Sequence, residues 1–433
     1  MRLHKIFIVS LLAFSTAMLQ SCLKNQEDVF EDTSSIRMQK TLDHAKEVLT
    51  GAEYGWAFDY IPDRNMSYGG FIYTVKFDHN DVTVGCELAP GSFEKSMYKL
   101  TDDNGPILSF DTYNTLMHYF ATPGNNHYQA YDGDFEFMIM EATPELVTLR
   151  GNRTGNTMYM RPLTQDPDEY ITSAAQMDEN FFLTSATGTV GSTDIKCDID
   201  LNARYMEFSW GESDASGEFY LPTATGIRFL SPVTINGSSI SELSFDANTL
   251  TYTGTDSSGN ALTMSGEIAE DYSFFDEFEG TYTFNYNSNR RKITLTFVPD
   301  KANNRYIIKG FNSNFDVIAT YDKTTGYLEI CSQQVATDGE KLIWLDAWAL
   351  DPEIGSGSHT WDTTVGMFIV KDPENPGTYN FISNNNPSLN ITSFILFYFT
   401  GTPGGTPYGQ VNDSKWYVNG SPQIVYISNI VKQ

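Results

Sequence analysis

Hydrophobic and polar residues alternate with a period of two over most of this chain. The stretch Phe71–Phe77 (FIYTVKF) shows the pattern, as do shorter runs at 135–139, 146–149 and 157–160. Side chains on a strand point to opposite faces in turn, so this alternation between Gly, Asn and Asp turns predicts short strands. The same pattern returns at 195–199, 204–209, 226–229 and 250–252. It returns again at 281–286, 292–297, 306–310, 327–331, 342–350, 366–370 and 394–399. Many short strands at this spacing predict a mainly β protein of two or three antiparallel sandwich- or barrel-like domains. Helical spacing appears twice. Ile36, Leu42, Ala45 and Leu49 recur before Gly51, with Ser34 or Ser35 as the cap, which predicts an N-terminal helix. An internal helix is predicted at 112–120, within SFDTYNTLMHYF and capped by Asp111.

Breaks in the pattern divide the chain into a helix-plus-β section at 34–165, a second β-rich section at 169–273 and a third at 276–433. The first two are read either as one domain or as two. Residues 162–168 (PLTQDPD) form the first connector, and the acidic, aromatic run 270–279 leads into the third section. GWAFDY near Trp56 and GTYTFNY near Tyr282 each open a section with a glycine followed by alternating aromatics.

The N-terminus departs from this picture. Arg2 and Lys5 precede an apolar run from Ile6 to Leu19, followed by Gln20, Ser21 and Cys22. The run is shorter than the roughly 20 apolar residues a spanning helix needs, so residues 1–21 read as a signal peptide. Leu19-Gln20-Ser21-Cys22 resembles the lipobox of bacterial lipoproteins. That resemblance implies cleavage before Cys22, acylation of its thiol and new amine, and attachment to a membrane. Each buried CH₂ contributes about 0.8 kcal/mol, so several acyl chains anchor stably where one does not. Residues 22–33 carry Glu27, Asp28, Glu31 and Asp32 with no apolar period and read as a flexible tether. Acidic residues close behind the lipid cysteine resemble the surface-export signal of Bacteroides-type lipoproteins, which implies an outer-membrane protein facing the exterior.

Charge narrows the partners. The chain carries −28, and loss of Arg2 and Lys5 with the signal leaves 25 basic against 55 acidic residues, or −30. Such a field repels a phosphate backbone, which argues against nucleic acid. Cys86, Cys197 and Cys331 remain after lipidation, too far apart for a metal knuckle and odd in number for a disulfide framework.

Signatures of catalysis are missing. The sequence contains no GxSxG elbow, HExxH pair or phosphate loop. His118 and His127 are near neighbours in sequence and read as partly exposed polar residues in preference to a joint metal site. Asp132, Asp134 and Glu136 (DGDFE) read as a turn and a solvated strand face. One constellation stands out in Ile343–Trp348 (IWLDAW). On a strand, Trp344, Asp346 and Trp348 share one face, while Ile343, Leu345 and Ala347 form a core face. Two indoles flanking a carboxylate suit stacking on sugar rings with hydroxyls donating to Asp346. The competing reading buries both indoles under a second layer.

The lipobox, the LTGAEYGW helix end, the GGFIYTVKF strand and the GPILSFDTYNTLMHYF segment together resemble an uncharacterised family of Bacteroides-type surface lipoproteins. The resemblance implies a setting beside SusC/SusD-like uptake systems and supplies no catalytic residues. The expected function is therefore non-catalytic: binding a nutrient polymer (glycan or peptide) or assisting an uptake complex, with no cofactor and no metal. An assembly partner of envelope proteins is the alternative, and a carboxylate-dependent hydrolase a third reading.

Overall fold

A capped helix leads the described chain into the first of four β-sheets. The computed structural model describes residues 33–124, 128, 130–384, 389–401 and 406–433. The signal, Cys22, His127 and nearly all of the tether lie outside them. Helix α1 (Ser34–Gly51) is capped one residue before the predicted positions, by Thr33, whose Oγ1 accepts from Ile36 N at 3.4 Å. Leu42, Ala45, Val48 and Leu49 form its buried stripe, and Ile36, assigned to that stripe by spacing, is exposed. The Trp56 indole donates to Leu49 O at 2.9 Å and ties the helix end to the first strand.

Backbone packing divides the protein into two units. One runs to Gln176 and takes in Leu221–Ala224; the other comprises Met177–Tyr220 and Thr225–Gln433. The first holds a nine-stranded antiparallel sheet whose outermost strands, Phe93–Met97 and Lys99–Thr101, are joined through Tyr98. Phe71–Phe77 forms as its alternation predicts and pairs with Trp56–Tyr60.

The predicted helix at 112–120 is absent. Asp111 N and Thr112 N both donate to Met97 O, so the backbone there stays with the sheet. Buried Asn114 then takes the capping role, accepting from Leu116 N and Met117 N and donating to Glu94 O. Only a 3₁₀ turn, Tyr119–Ala121, follows. The internal helix is instead α2 (Pro167–Asn180). Asp166 caps it by accepting from Asp168 N at 2.8 Å, Pro167 takes the first helical position, and Asp168 and Glu169 complement the dipole.

The solvated reading of DGDFE also fails at Asp134. This residue is buried and accepts from Thr154 N at 3.2 Å and Thr154 Oγ1 at 2.6 Å, so it is a staple for the 151–156 turn. Asp132 pairs with Arg153 at the surface.

Eight strands from Ser185–Val190 to Ala261–Ser265 form a closed barrel in which each pairs with the next and the last with the first. Thr193–Asp200 shows the origin of its core. Ile195, Cys197 and Ile199 point inward while Lys196 and Asp198 face solvent. At the closing seam a β-carbon on Gly188 would lie 2.0 Å from Thr263 O, so only glycine fits.

A second closed barrel begins at Gly280–Tyr286 and ends at Asn429–Lys432, which pairs back to the first strand. After its fifth strand, Tyr327–Cys331, the chain leaves the barrel to build a separate six-stranded sheet. The fold is thus mainly β, with two α-helices among the described residues. None of their helices is long and apolar enough to cross a membrane. Cys86 and Cys197 are buried thiols and Cys331 is half-buried.

Candidate functional site

The separate sheet is centred on Lys341–Leu350, flanked by Gln333–Asp338 and Ser393–Thr400, with Gly357–Thr360 pairing to its far end. Its two faces differ sharply. Ile343, Leu345 and Ala347, with Phe394, Leu396 and Tyr398 from the neighbouring strand, belong to the same hydrophobic cluster as the barrel interior. Ser332 fixes the strand's place by accepting from Ala347 N at 2.9 Å and donating to Thr360 O at 2.8 Å.

The other face carries Trp344, Asp346 and Trp348. Register places Phe397 opposite Trp344, Ile395 opposite Asp346, and both Ser393 and His359 beside Trp348. The two indoles are half-buried. Trp361, 41% exposed, extends the aromatic surface. Its ring meets Phe399 at 5.6 Å, and Phe399 meets Trp344 edge-on at 6.3 Å and Phe397 at 5.5 Å.

Asp346 is fully buried beneath this surface. Its Oδ2 is hydrogen-bonded to His359 Nδ1 at 2.8 Å, and the His359 ring packs on Phe397 at 4.5 Å. Burial pushes the Asp346 carboxyl above the ordinary carboxylate range, and the hydrogen bond and charge of His359 offset part of that rise. Among the described residues, Asp346 Oδ1 and Trp344 Nε1 are buried without hydrogen-bond partners. One acceptor and one donor, two residues apart on the strand, are therefore unsatisfied.

Sequence reasoning brought together three of these residues and missed His359, Trp361 and Phe397. His359 and Phe397 lie on other strands and Trp361 just past the end of one, and only the pairing register joins them to the first three. Ser393 lies across Trp348 from His359, and its Oγ accepts from Tyr426 N at 2.9 Å. No group of three or more metal-type side chains occurs among the described residues. His118 is half-buried between Tyr113 and Phe135, and burial lowers its pKa.

Two family models match the chain. The one described as Domain of unknown function (DUF4302) covers residues 26–247, and a second domain of unknown function, DUF4987, covers residues 255–397. The aromatic face falls in the second match. No curated sequence matches the chain. Among solved structures, the periplasmic gluconolactonase PpgL of Pseudomonas aeruginosa aligns at 12% identity over 80% of this chain and 99% of its own. The TM-score is 0.11.

Proposed function

The chain belongs to the family described as Domain of unknown function (DUF4302), and from that premise we propose that it is a non-catalytic surface lipoprotein that binds a nutrient glycan. The family brings no activity with it, so the reading rests on the site. One observation carries it: the outer face of the separate sheet presents Trp344, Trp348, Trp361 and Phe397 outside the hydrophobic core. Aromatic rings fixed on a rigid strand stack on the apolar faces of sugar rings at low entropic cost. A peptide backbone carries no repeating ring face for these indoles to stack on.

The lipobox and acidic tether support an anchor at Cys22 in the outer membrane, facing outward, with a SusC/SusD-like transporter as receiver of the captured polymer. The test is binding of the full chain to soluble polysaccharides and peptides by affinity electrophoresis and calorimetry. At least one polysaccharide should bind, and Trp344→Ala or Trp348→Ala should weaken it about tenfold, near 1.4 kcal/mol for one stacked ring. Binding that these substitutions leave unchanged would remove the sheet face from the account.

A further inference from the structure

Within the second unit, a groove runs between the barrel of residues 185–265 and the barrel that begins at Gly280. It consists of two adjoining cavities of about 310 and 480 Å³ that share Glu179, Phe275, Tyr321 and Lys323 as walls. Both volumes lie in the range of small-molecule sites.

The first cavity is aromatic. Phe182, Tyr272 and Phe274 pack on one another with ring centroids 5.1, 5.4 and 5.2 Å apart, and Phe274 is 44% exposed at the lip. The wall behind them is held in place. Tyr272 OH donates to Lys323 O at 2.8 Å, Tyr321 OH donates to Ser273 O at 2.9 Å, and Lys323 Nζ donates to Asp178 O at 3.0 Å. The second cavity, though its surface is still more apolar than polar, adds Asp276, Lys301 and Asn304 to its lining.

We propose that this groove is a second binding site, for a neutral oligosaccharide. Its charged lining is balanced, with Glu179 and Asp276 against Lys301 and Lys323. An anionic ligand would find no surplus cation there and would meet the field of a chain at −28. A wholly apolar ligand would desolvate the ionic end without partners. A neutral ring system with apolar faces and hydroxyl edges satisfies both ends, and the combined space accepts about two or three sugar rings. The inference does not depend on the sheet-face reading.

The test titrates the full chain with neutral malto-, cello-, xylo- and manno-oligosaccharides of graded length, by saturation-transfer NMR and calorimetry. Phe274→Ala removes the lip ring. Ala247→Trp fills the aromatic cavity from an exposed position and leaves the core contacts in place. One series should bind, weakened about tenfold or more by each of these variants and unchanged by Trp344→Ala. The proposal is overturned if no series binds, or if Ala247→Trp binds as the parent does. It is also overturned if Trp344→Ala abolishes all binding, which would leave the sheet face as the site, or if only peptides or anionic glycans compete for the groove.

Discussion

Replacing His359 by alanine tests the buried pair under the aromatic face. Asp346 is fully buried, and the His359 side chain, 26% exposed, supplies the hydrogen bond it has among the described residues. Removing one partner of a buried ionisable pair costs about 3–5 kcal/mol. The low end, about 3 kcal/mol, applies here, because water enters where the partly exposed ring stood. The loss should also depend on pH. The folded Asp346 carboxyl already lies above its ordinary value through burial, and removing His359 raises it further. Above the ordinary carboxylate range, the folded state then holds a proton that the unfolded chain has released. Stability therefore falls as pH rises, by up to about 1.4 kcal/mol per pH unit, until the folded carboxyl ionises. Urea unfolding of His359→Ala at pH 4.5 and pH 8 should show a clearly larger loss at pH 8. An asparagine side chain is neutral at both, so adding Asp346→Asn to the same background should restore most of the stability at pH 8. An equal loss at both pH values, or no rescue by Asp346→Asn, would refute the reasoning.

Two further outcomes follow from the same structure and sequence. Leu345→Ala opens a cavity on the core face of the same strand, where Leu345 is 1% exposed. It should cost about 3 kcal/mol and lower Tm by roughly 6–12 °C in calorimetry, without weakening glycan binding among molecules still folded. Cys22→Ser, which removes the acylated thiol, should move the protein from the membrane fraction to the soluble fraction in the native host, as read by fractionation and immunoblot.

Much of the β architecture was legible because a half-buried strand writes its two faces into alternate residues. Phe71–Phe77 and Tyr327–Cys331 form where the pattern placed them, and the two faces of Lys341–Leu350 separate as their period requires. Helix spacing was less dependable. The run after Asp111 was read as a helix, but its backbone is committed to Met97 O, and Asn114 within it reaches back to Glu94 O, contacts to an earlier strand that the run itself does not reveal. The converse holds at Asp166-Pro167, where a cap followed by a first-turn proline looked like a connector and begins α2. Asp134 misled for a related reason: a carboxylate in a DGD turn reads as solvated until a loop from 20 residues onward folds over it. Register and closure were not legible. His359 reaches Asp346, and Trp361 reaches the aromatic face, only through the pairing of Gly357–Thr360 with Lys341–Leu350.

The central claim is that the outer face of the separate sheet holds the glycan, and hydroxyl-radical footprinting of the full chain with and without a bound polysaccharide tests it most directly. Mass spectrometry reads oxidation at each tryptophan. The account predicts that Trp348 and Trp361 lose most of their oxidation in the complex, while buried Trp56 stays unreactive in both states. A complex that forms with Trp348 and Trp361 as reactive as before would contradict it.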